Sequence, residues 1–414
     1  MISLSSAWEM IRQEVAAVPS SSLALEAALG TVLAEEIVCT ADSPPFDKSM
    51  MDGFALRSDD VNSGRRELAI VGELTAGRTS DYVLQPGEAI RIMTGAPIPA
   101  GVDAVVKIEE TRVQDGRVRL LCDSVVTRAN IVRQGESMRR GEQLLTAGTR
   151  LRPQEIGLLS ELGHASVRVC PRPRITVLAT GDELVPLHET PGPGQIRNSN
   201  EPMLCAQIEA AGGVPVPLGI ARDNVESLRE KITTGLDADF LCLSGGVSAG
   251  KLDLVPAELQ RAGVREVFHK VEMKPGKPVW FGKLPGDRPR YIFGLPGNPV
   301  SSMVCFELFL RLAIRCWQGE TAPELPFRLA RLVKAFESRS DRPVFFPAQL
   351  SWQHEYLQVE PTNWQGSFDL RATVQANALA FFESAGQFPA GATVRVFPLG
   401  STALAEVPYI NEVS

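Results

Sequence analysis

The chain has 414 residues, a length that predicts two to four domains rather than a single core. Hydrophobic residues make up 44% and charged residues 22%, as in an ordinary globular protein, and the formal net charge is -7. This acidic balance argues against a nucleic-acid coat or a general membrane-surface binder, so any anionic ligand must be held by a local cluster of donors.

Cysteines and histidines form no recognisable site in the sequence. The seven cysteines include no C-x-x-C pair, and the four histidines show no ligand spacing. This usage favours reduced thiols over a disulfide framework or a zinc site, so we expect a cytoplasmic protein. The apolar start, MISLSSAWEMIRQEVAAV, contains Glu9, Arg12 and Glu14. It is therefore predicted to be neither a signal peptide nor a membrane span.

The first half of the chain divides into a helical and a β-rich part. Apolar periodicity predicts helix over about the first 40 residues, with Ser6 and Glu9 spaced as a capping box. Short strand-like runs follow DSPPFDKSMMDG and predict a β-rich unit over residues 45–142. A helix is predicted again at PQEIGLLSELG.

Residues 172–320 alternate between strand and helix patterns. The apolar runs ITVLAT, VPVPLGIA, ADFLCLSGG and RYIFGL are predicted strands, and helical segments separate them. This alternation indicates a doubly wound parallel sheet with helices on both faces. Asp223 and Glu226 are spaced as a second capping box, while Asn298 and Pro299 suit the first positions of a helix. That helix, through VSSMVCFELFLRLAIRCW, is predicted to be buried, and the remaining residues have short β patterns typical of a small barrel or sandwich.

The segment SGGVSAGKLD is similar to a P-loop but departs from it. Gly245, Gly250 and Lys251 have the spacing of G-x-x-x-x-G-K-[ST], yet Leu252 lacks the hydroxyl that binds the magnesium of a nucleotide. Ligands of doubly wound domains lie at the carboxyl ends of the strands. Three loops fall at such ends, namely ATGDEL, SGGVSAGKLD and GLPGNP. We therefore predict a phosphate-binding site that works without P-loop chemistry.

The same loops supply the donors and acids that such a site needs. Backbone N–H groups of glycines can approach an anion closely, serine hydroxyls add donors, and carboxylates suit a hard cation. The candidates are Ser244, Gly245, Gly246, Ser248 and Gly250 for the anion, and Asp182, Glu183 and Asp253 for the cation. A glycine turn beside a solvated acid is the simpler alternative for any single loop. The stretch KPGK is likewise typical either of an exposed hairpin turn or of an oxyanion cradle formed by Lys274 and Lys277.

Several segments together resemble one family, the molybdopterin molybdenumtransferases of the MoeA and gephyrin E-domain group. The segments that carry the resemblance are PPFDKSMMDGFAL, RIMTGAPIPAGVDAVV, ATGDEL, SGGVSAGKLDLV, MKPGKPVWFG, GLPGNPVSS and NWQGSFDLRATVQANAL. The resemblance implies a multidomain α/β plus β fold with four parts: a helical and linker part (1–44 and 143–171), a β-rich insertion (45–142), a molybdopterin-binding α/β domain (172–320) and a C-terminal β-barrel (321–414).

The resemblance also implies a function. Members are homodimers that take adenylylated molybdopterin and molybdate, insert the metal and release AMP with the help of Mg²⁺. The molybdopterin adenylyltransferase and acceptor molybdoenzymes are implied partners, and neither a nucleic acid nor a membrane is expected.

Site residues are implied by the matching motifs. Asp52 and Thr94 would enter the site from the other subunit. Glu183, Asp223 and Asp253 would be the acids of the nucleotide side, with Glu183 and Asp253 binding the metal. The substrate would contact Asp182, the SGGVSAG loop and Pro296, Asn298 and Pro299. Molybdate would be bound by Lys274, Lys277, Pro278, Arg342 and Ser367.

One departure from the family leaves alternatives open. The family shows an acid in the segment RQGESMRRGEQ where this chain has Ser137. A weakened paralogue that acts as a binding or scaffold protein therefore remains an alternative. A second alternative is the adenylyltransferase itself, which shares the α/β domain but lacks the SMMDG segment and the C-terminal barrel.

Overall fold

A computed structural model describes residues 1–247, 254–353 and 356–399. They form two compact units. One unit contains residues 1–35, 147–157 and the described part of 165–414, and the other contains residues 36–146 and 158–164. The four-part division expected from the sequence is finer than this, and its boundaries stay a prediction.

The amino-terminal segment is helical over a shorter range than its apolar pattern predicts. Helix α1 covers Leu4–Glu14, and the following chain forms β1 (Ser21–Ala24), a 3₁₀ turn (Leu25–Ala27), β2 (Val32–Leu33) and β3 (Ile37–Val38). The helical prediction is therefore wrong beyond Glu14, because pairing with a later strand overrides local propensity. The predicted capping box is also wrong, since the Ser3 hydroxyl caps α1 by accepting from the Ser6 amide at 3.1 Å.

The second unit is built mainly of β-structure, as predicted. Its strands and helices are β4 (Lys48–Ser49), β5 (Gly53–Leu56), α2 (Ser58–Asn62), β6 (Glu67–Leu74), β7 (Glu88–Ile92), β8 (Ala104–Lys107), β9 (Thr111–Gln114), β10 (Arg117–Leu120), β11 (Ile131–Val132) and β12 (Gln143–Leu145). A six-stranded sheet has the order β8-β5-β7-β6-β10-β9, and β4–β11 and β3–β12 form two further pairs. Helix α3 (Pro153–Glu161) follows, at the predicted place.

The α/β domain belongs to the first unit. Its elements are β13 (Ser166–Cys170), β14 (Arg174–Thr180), β15 (Leu184–Val185), β16 (Ile196–Arg197), α4 (Asn200–Ala210), β17 (Val214–Ala221), α5 (Val225–Gly235), β18 (Phe240–Ser244), α6 (Val255–Arg261), β19 (Arg265–His269), β20 (Trp280–Leu284), β21 (Arg290–Leu295), α7 (Pro299–Cys305) and α8 (Arg311–Trp317). Strand β13 pairs with β1 and β2 in a separate small sheet.

The main sheet of this domain has the order β17-β14-β18-β21-β20-β19. Its first four strands are parallel, as the alternating pattern predicts, while β20 and β19 are antiparallel and extend one edge. One face packs against α1, α4, α7 and α8, and the other against α5 and α6. The sheet is thus covered on both faces, which explains why β18 is buried along its whole length.

The sequence predicts two helix starts in this domain, and they have different outcomes. The structure confirms Asn298 as the N-cap and Pro299 as the first residue of α7. The capping box at Asp223 is wrong, because Asn224 caps α5 by accepting from the Ser227 amide at 2.9 Å. Asp223 lies outside the helix, and its amide donates to Asp182 Oδ1 at 3.2 Å.

The predicted buried helix runs from α7 to α8 through a π-helical turn, Phe306–Leu310. Beyond it lie β22 (Arg328–Leu332), β23 (Phe336–Ser338), β24 (Val344–Gln353), β25 (Tyr356–Pro361), α9 (Arg371–Val374), β26 (Ala378–Phe382), β27 (Gly386–Phe388) and β28 (Thr393–Pro398). Five of these strands close a barrel in the order β22-β25-β24-β26-β28, which confirms the barrel prediction.

The barrel and the α/β domain share one hydrophobic core. Phe345, Leu379 and Phe397 of the barrel are buried in the same cluster as Phe309 and Trp317 of the α7–α8 segment. Backbone pairing continues this contact, since the amide of Phe345 donates to the carbonyl of Lys274 at 2.8 Å. The KPGK loop is therefore anchored on the barrel.

Candidate functional site

Three parallel strands end at the same level of the main sheet. In the register of β14, β18 and β21, Ala179 is the partner of Ser244, and Ser244 is the partner of Leu295. The loops ATGDEL, SGGVSAG and GLPGNP leave the sheet directly after these positions. The structure thus brings together the three loops that the sequence singles out.

A cavity of about 710 Å³ lies at this edge, a volume within the usual range for small-molecule sites. Nine predicted site residues line it: Glu183, Asp223, Ser244, Gly245, Gly246, Pro278, Pro296, Asn298 and Pro299. The first residues of α4 and of the continuous α7–α8 segment also line it, so both helices direct their N-termini towards the cavity. Helix N-termini favour anions because their first N–H groups lack intrahelical acceptors.

The glycine turn after β18 can be formed only by residues without a side chain. Gly245 and Gly246 have φ values of +95° and +68°. A Cβ on Gly245 would lie 2.8 Å from the carbonyl oxygen of Thr180, and one on Gly246 would lie 2.6 Å from Val255. The two glycines therefore bring the backbone of this turn close against β14 and α6, where it borders the cavity.

Asn200, the first residue of α4, is a site residue that the sequence analysis does not identify. Its Nδ2 donates to Ser244 Oγ and to the carbonyl of Gly297, both at 2.7 Å. The amide thereby connects the loops that follow β18 and β21. Its Oδ1 is buried without a hydrogen-bond partner among the described residues, and the same holds for Thr180 Oγ1, which also borders the cavity. Two buried oxygens without partners suit a polar ligand.

The acids of the ATGDEL loop lie beside this turn. The Glu183 carboxylate folds back over Gly181, where a Cβ would collide with it. Asp182 Oδ1 accepts from the Asp223 amide at 3.2 Å, and this side-chain-to-backbone hydrogen bond connects the two acidic segments. Both Glu183 and Asp223 are exposed at the cavity wall.

The carboxylates at the cavity are suitable ligands for a hard cation such as Mg²⁺. In the described ranges, no group of three or more His, Cys, Asp or Glu side chains is arranged to bind a metal. Mg²⁺ is commonly held by one or two protein carboxylates together with substrate phosphates and water. Glu183 suits this role. The predicted residues Ser248, Gly250 and Asp253 lie outside the described residues.

Of the five residues predicted to bind molybdate, the structure places two at this cavity or in contact with a residue that lines it. Pro278 lines the cavity, and Ser367 Oγ accepts from Asn298 Nδ2 at 3.0 Å. Lys274 pairs through its backbone with Val344, two residues after Arg342. KPGK lies in the connection from β19 to β20, but Pro275 and Gly276 are buried, so it is not the exposed hairpin turn of the simpler interpretation. The Lys274 and Lys277 side chains are exposed and form no ion pair with any described residue.

Asp52 and Thr94 contact each other in the β-rich unit. Asp52 Oδ1 accepts from the Thr94 amide at 2.7 Å and from the Thr94 hydroxyl at 2.8 Å. These two hydrogen bonds hold the pKa of Asp52 below its ordinary value, and the bond from the backbone amide contributes most. The charge of Arg91 makes a smaller contribution in the same direction. The pair therefore presents an ionised carboxylate on the surface of this unit.

No helix in the described ranges is long and apolar enough to cross a membrane.

Comparison with known proteins identifies three family regions in the chain. Residues 2–163 match the MoeA N-terminal region (domain I and II), residues 176–315 a probable molybdopterin binding domain, and residues 330–399 the MoeA C-terminal region (domain IV). These matches cover the β-rich part and the barrel as well as the α/β domain.

Similar proteins match over most of their length. The molybdopterin molybdenumtransferase of Bacillus subtilis is 35% identical over 396 residues, which are 94% of this chain and 91% of the relative. That of Staphylococcus aureus is 33% identical, covering 98% of this chain and 97% of the relative. The solved structure of a molybdopterin biosynthesis moeA protein from Pyrococcus horikoshii superposes with a TM-score of 0.80 at 27% identity, over 96% of this chain and 100% of that one.

The Asp52–Thr94 contact generates a first prediction. Thr94→Val removes the hydroxyl donor and retains the backbone donor, so the pKa of Asp52 should rise part of the way towards its ordinary value. The measurement is an NMR titration of the Asp52 carboxyl carbon. Thr127→Val, which removes a hydroxyl bonded to Ser58 in the same unit, is the control and should leave this pKa unchanged. An identical Asp52 titration in both variants would contradict the assignment.

Proposed function

The chain belongs to the molybdopterin molybdenumtransferase family, and we propose that it inserts molybdenum from molybdate into adenylylated molybdopterin and releases AMP. The observation that supports this function best is the cavity at the ends of β14, β18 and β21. A glycine turn, two helix N-termini and two carboxylates border this one cavity. This combination suits a phosphate-rich ligand with an accompanying cation.

The phosphates of the substrate would be held by backbone N–H groups rather than by a P-loop lysine. In the glycine turn the Gly246 amide would supply such a donor at the cavity wall, whereas the amides of Gly245 and Val300 already donate to the carbonyls of Leu295 and Ser367. Donors fixed by the backbone need no rearrangement when the phosphates bind, and they stabilise negative charge that develops when AMP leaves. Ser244 would be positioned by Asn200 to contribute its hydroxyl proton.

Mg²⁺, when bound, would neutralise phosphate charge. Glu183 would hold it with Asp253, and Asp223 would orient the nucleotide from the same wall of the cavity. The fit rests on the Glu183 carboxylate, which no described donor binds.

Molybdate would be bound where the KPGK loop meets the barrel. Lys274 and Lys277 offer compact ammonium groups, Arg342 offers a planar set of N–H donors, and Ser367 offers a hydroxyl. Because the Ser367 oxygen already accepts from Asn298, its own proton remains for an oxyanion. The anchoring of Lys274 on the barrel backbone would hold this set of donors together.

The complete site would use two chains. Asp52 and Thr94 belong to the β-rich unit, and we propose that they reach the cavity of a partner subunit in a homodimer. Ser137 is exposed in the same unit, so the charge of the family's usual acid is missing there. We further propose that the protein acts in the cytoplasm, receives its substrate from the molybdopterin adenylyltransferase and supplies acceptor molybdoenzymes.

Each of the two alternative functions would need fewer of the structural features found in this chain. An adenylyltransferase would need the α/β domain alone, whereas the family matches also include residues 2–163 and 330–399. A scaffold without activity would not need an ordered set of acids and donors at one cavity. Neither alternative is favoured by a specific observation.

The proposed function is tested by mixing purified protein with adenylylated molybdopterin, molybdate and Mg²⁺, and following AMP release together with formation of active cofactor. We expect turnover by the wild type and a loss of about a hundredfold or more in Glu183→Gln, because a charge that stabilises the reacting phosphates is removed. Glu209→Gln, an exposed acid near the end of α4, is the control. A folded wild type without turnover would refute the function, and full turnover by Glu183→Gln would refute the role of Glu183.

Molybdate binding generates a separate prediction. Ser367→Ala should raise the half-saturating molybdate concentration by about tenfold at most, since a neutral hydrogen bond contributes about 0.5–1.5 kcal/mol. Lys277→Ala should raise it further, because the dianion loses a charged partner. Activity against molybdate concentration is the measurement, and Lys334→Ala, which removes an exposed lysine paired with Glu360, is the control. If both variants kept the wild-type dependence, molybdate would bind elsewhere.

A shared site predicts complementation between two inactive chains. Asp52→Ala and Asp253→Ala chains, coexpressed with different tags and purified as a mixed dimer, should recover activity, because one of the two composite sites is intact. Each homodimer alone should be inactive. A mixed dimer as inactive as its parents would show that Asp52 acts in its own subunit.

A further inference from the structure

Phe368 is exposed in an unusual place. Its side chain is 65% exposed and lines the cavity together with the glycine turn and the N-terminus of α7. Among the cavity-lining residues that the structure describes, it is the one aromatic side chain. Its ring contacts no other aromatic ring in the described chain. Because the ring is exposed and borders the cavity, it is available for contact with a ligand bound there.

The turn that carries Phe368 is held by several hydrogen bonds. Asp369 accepts from the amides of Gln365 at 3.2 Å and Ala372 at 3.4 Å, and the Leu370 amide donates to the Phe368 carbonyl at 3.0 Å. A Cβ on Gly366 would lie 3.3 Å from the Phe368 ring, so the glycine leaves room for the ring. The ring is therefore presented by an ordered turn rather than by a freely moving loop.

This turn is also connected to the cavity on its other side. The Ser367 carbonyl accepts from the Val300 amide at 3.0 Å, and Ser367 Oγ accepts from Asn298 Nδ2 at the same distance. Both partners belong to the N-terminal turn of α7, which borders the cavity through Asn298 and Pro299. The ring of Phe368 is thus fixed relative to the cavity wall at the start of α7, so little conformational freedom would be lost when a planar ring binds against it.

We propose that Phe368 stacks on a planar heteroaromatic ring of the substrate, an interaction that rests on the proposed function. Adenylylated molybdopterin carries two such rings, the adenine and the pterin, and the chemistry of stacking is shared by both. Stacking of a base on an aromatic side chain typically changes affinity by about tenfold or more. Phe368 is a substrate-binding residue in this proposal and takes no part in proton transfer.

The test uses the full chain and three probes measured by calorimetry: AMP, pterin-6-carboxylate, and ribose 5-phosphate as the ringless counterpart of AMP. Phe368→Leu, which keeps apolar bulk and removes the ring, should weaken binding of AMP, pterin-6-carboxylate or both by about tenfold and leave ribose 5-phosphate unchanged. Phe368→Tyr should bind like the wild type. A loss for AMP assigns the ring to adenine, and a loss for pterin-6-carboxylate assigns it to the pterin.

Val374→Ala is the matched control for the loss of apolar surface. Val374 is 83% exposed at the end of α9, in the same segment of the chain, and does not line the cavity. This variant should bind all three probes like the wild type. A Phe368→Leu protein that binds both ring probes like the wild type would overturn the proposal. An equal loss of ribose 5-phosphate binding would also overturn it, because that result would indicate a distorted turn. A wild type that binds neither ring probe would overturn it as well.

Sedimentation of the same variants tests the other use of an exposed ring, contact with a second copy of the chain. Dissociation of the Phe368→Leu dimer with unchanged probe binding would also overturn the stacking assignment. The turnover assay separates this inference from the proposed function. Ring-dependent binding without any molybdenum insertion by the wild type would refute the function and leave the stacking contact in place.

Discussion

The side-chain amide of Asn200 is the contact on which the arrangement of the cavity depends. Its two hydrogen bonds reach Ser244 at the end of β18 and Gly297 after β21, so one group sets the spacing between two loops and the start of α4. Parallel strands align the starting points of these loops but do not determine their paths beyond the sheet. A short polar side chain between them supplies that restraint, and it leaves the glycine turn and the N-terminus of α7 bordering the same space.

The net negative charge of an acidic protein repels an anionic ligand, so groups at the binding site itself must offset this repulsion. The formal net charge is -7, and carboxylates of Glu183 and Asp223 border the cavity itself. The opposing charges are the partial charges of backbone N–H groups and of the helix N-termini that border the cavity. A cation held by the carboxylates would reverse the sign of that wall. The electrostatic attraction of the cavity for an anion therefore depends on fixed dipoles more than on the total charge of the chain.

Much of the architecture followed from sequence patterns, for identifiable reasons. The buried strands of the α/β domain are continuous apolar runs, and their alternation with helices determines that three loops meet at one edge. The strand β1 was missed because its pairing partner lies far away in the chain, at Ser166–Val169. The cap at Asn224 was missed because a carboxylate and an amide are equally good caps, and the sequence pattern does not decide between the neighbouring Asp223 and Asn224. Neither Asn200 nor Phe368 has a local pattern that distinguishes a site residue from an ordinary cap or an ordinary apolar residue.

The core shared by the barrel and the α/β domain limits how the chain can change in evolution or by design. Phe345, Leu379 and Phe397 complete the packing of the α7–α8 segment, so the barrel is a structural part of the ligand-binding domain rather than an appended module. Exchanging barrels between relatives would require matching surfaces on that buried segment. Substitutions on the two sides of this contact should consequently be inherited together, and a chimera that respects only the loop boundaries would leave a mismatched interior beneath its site.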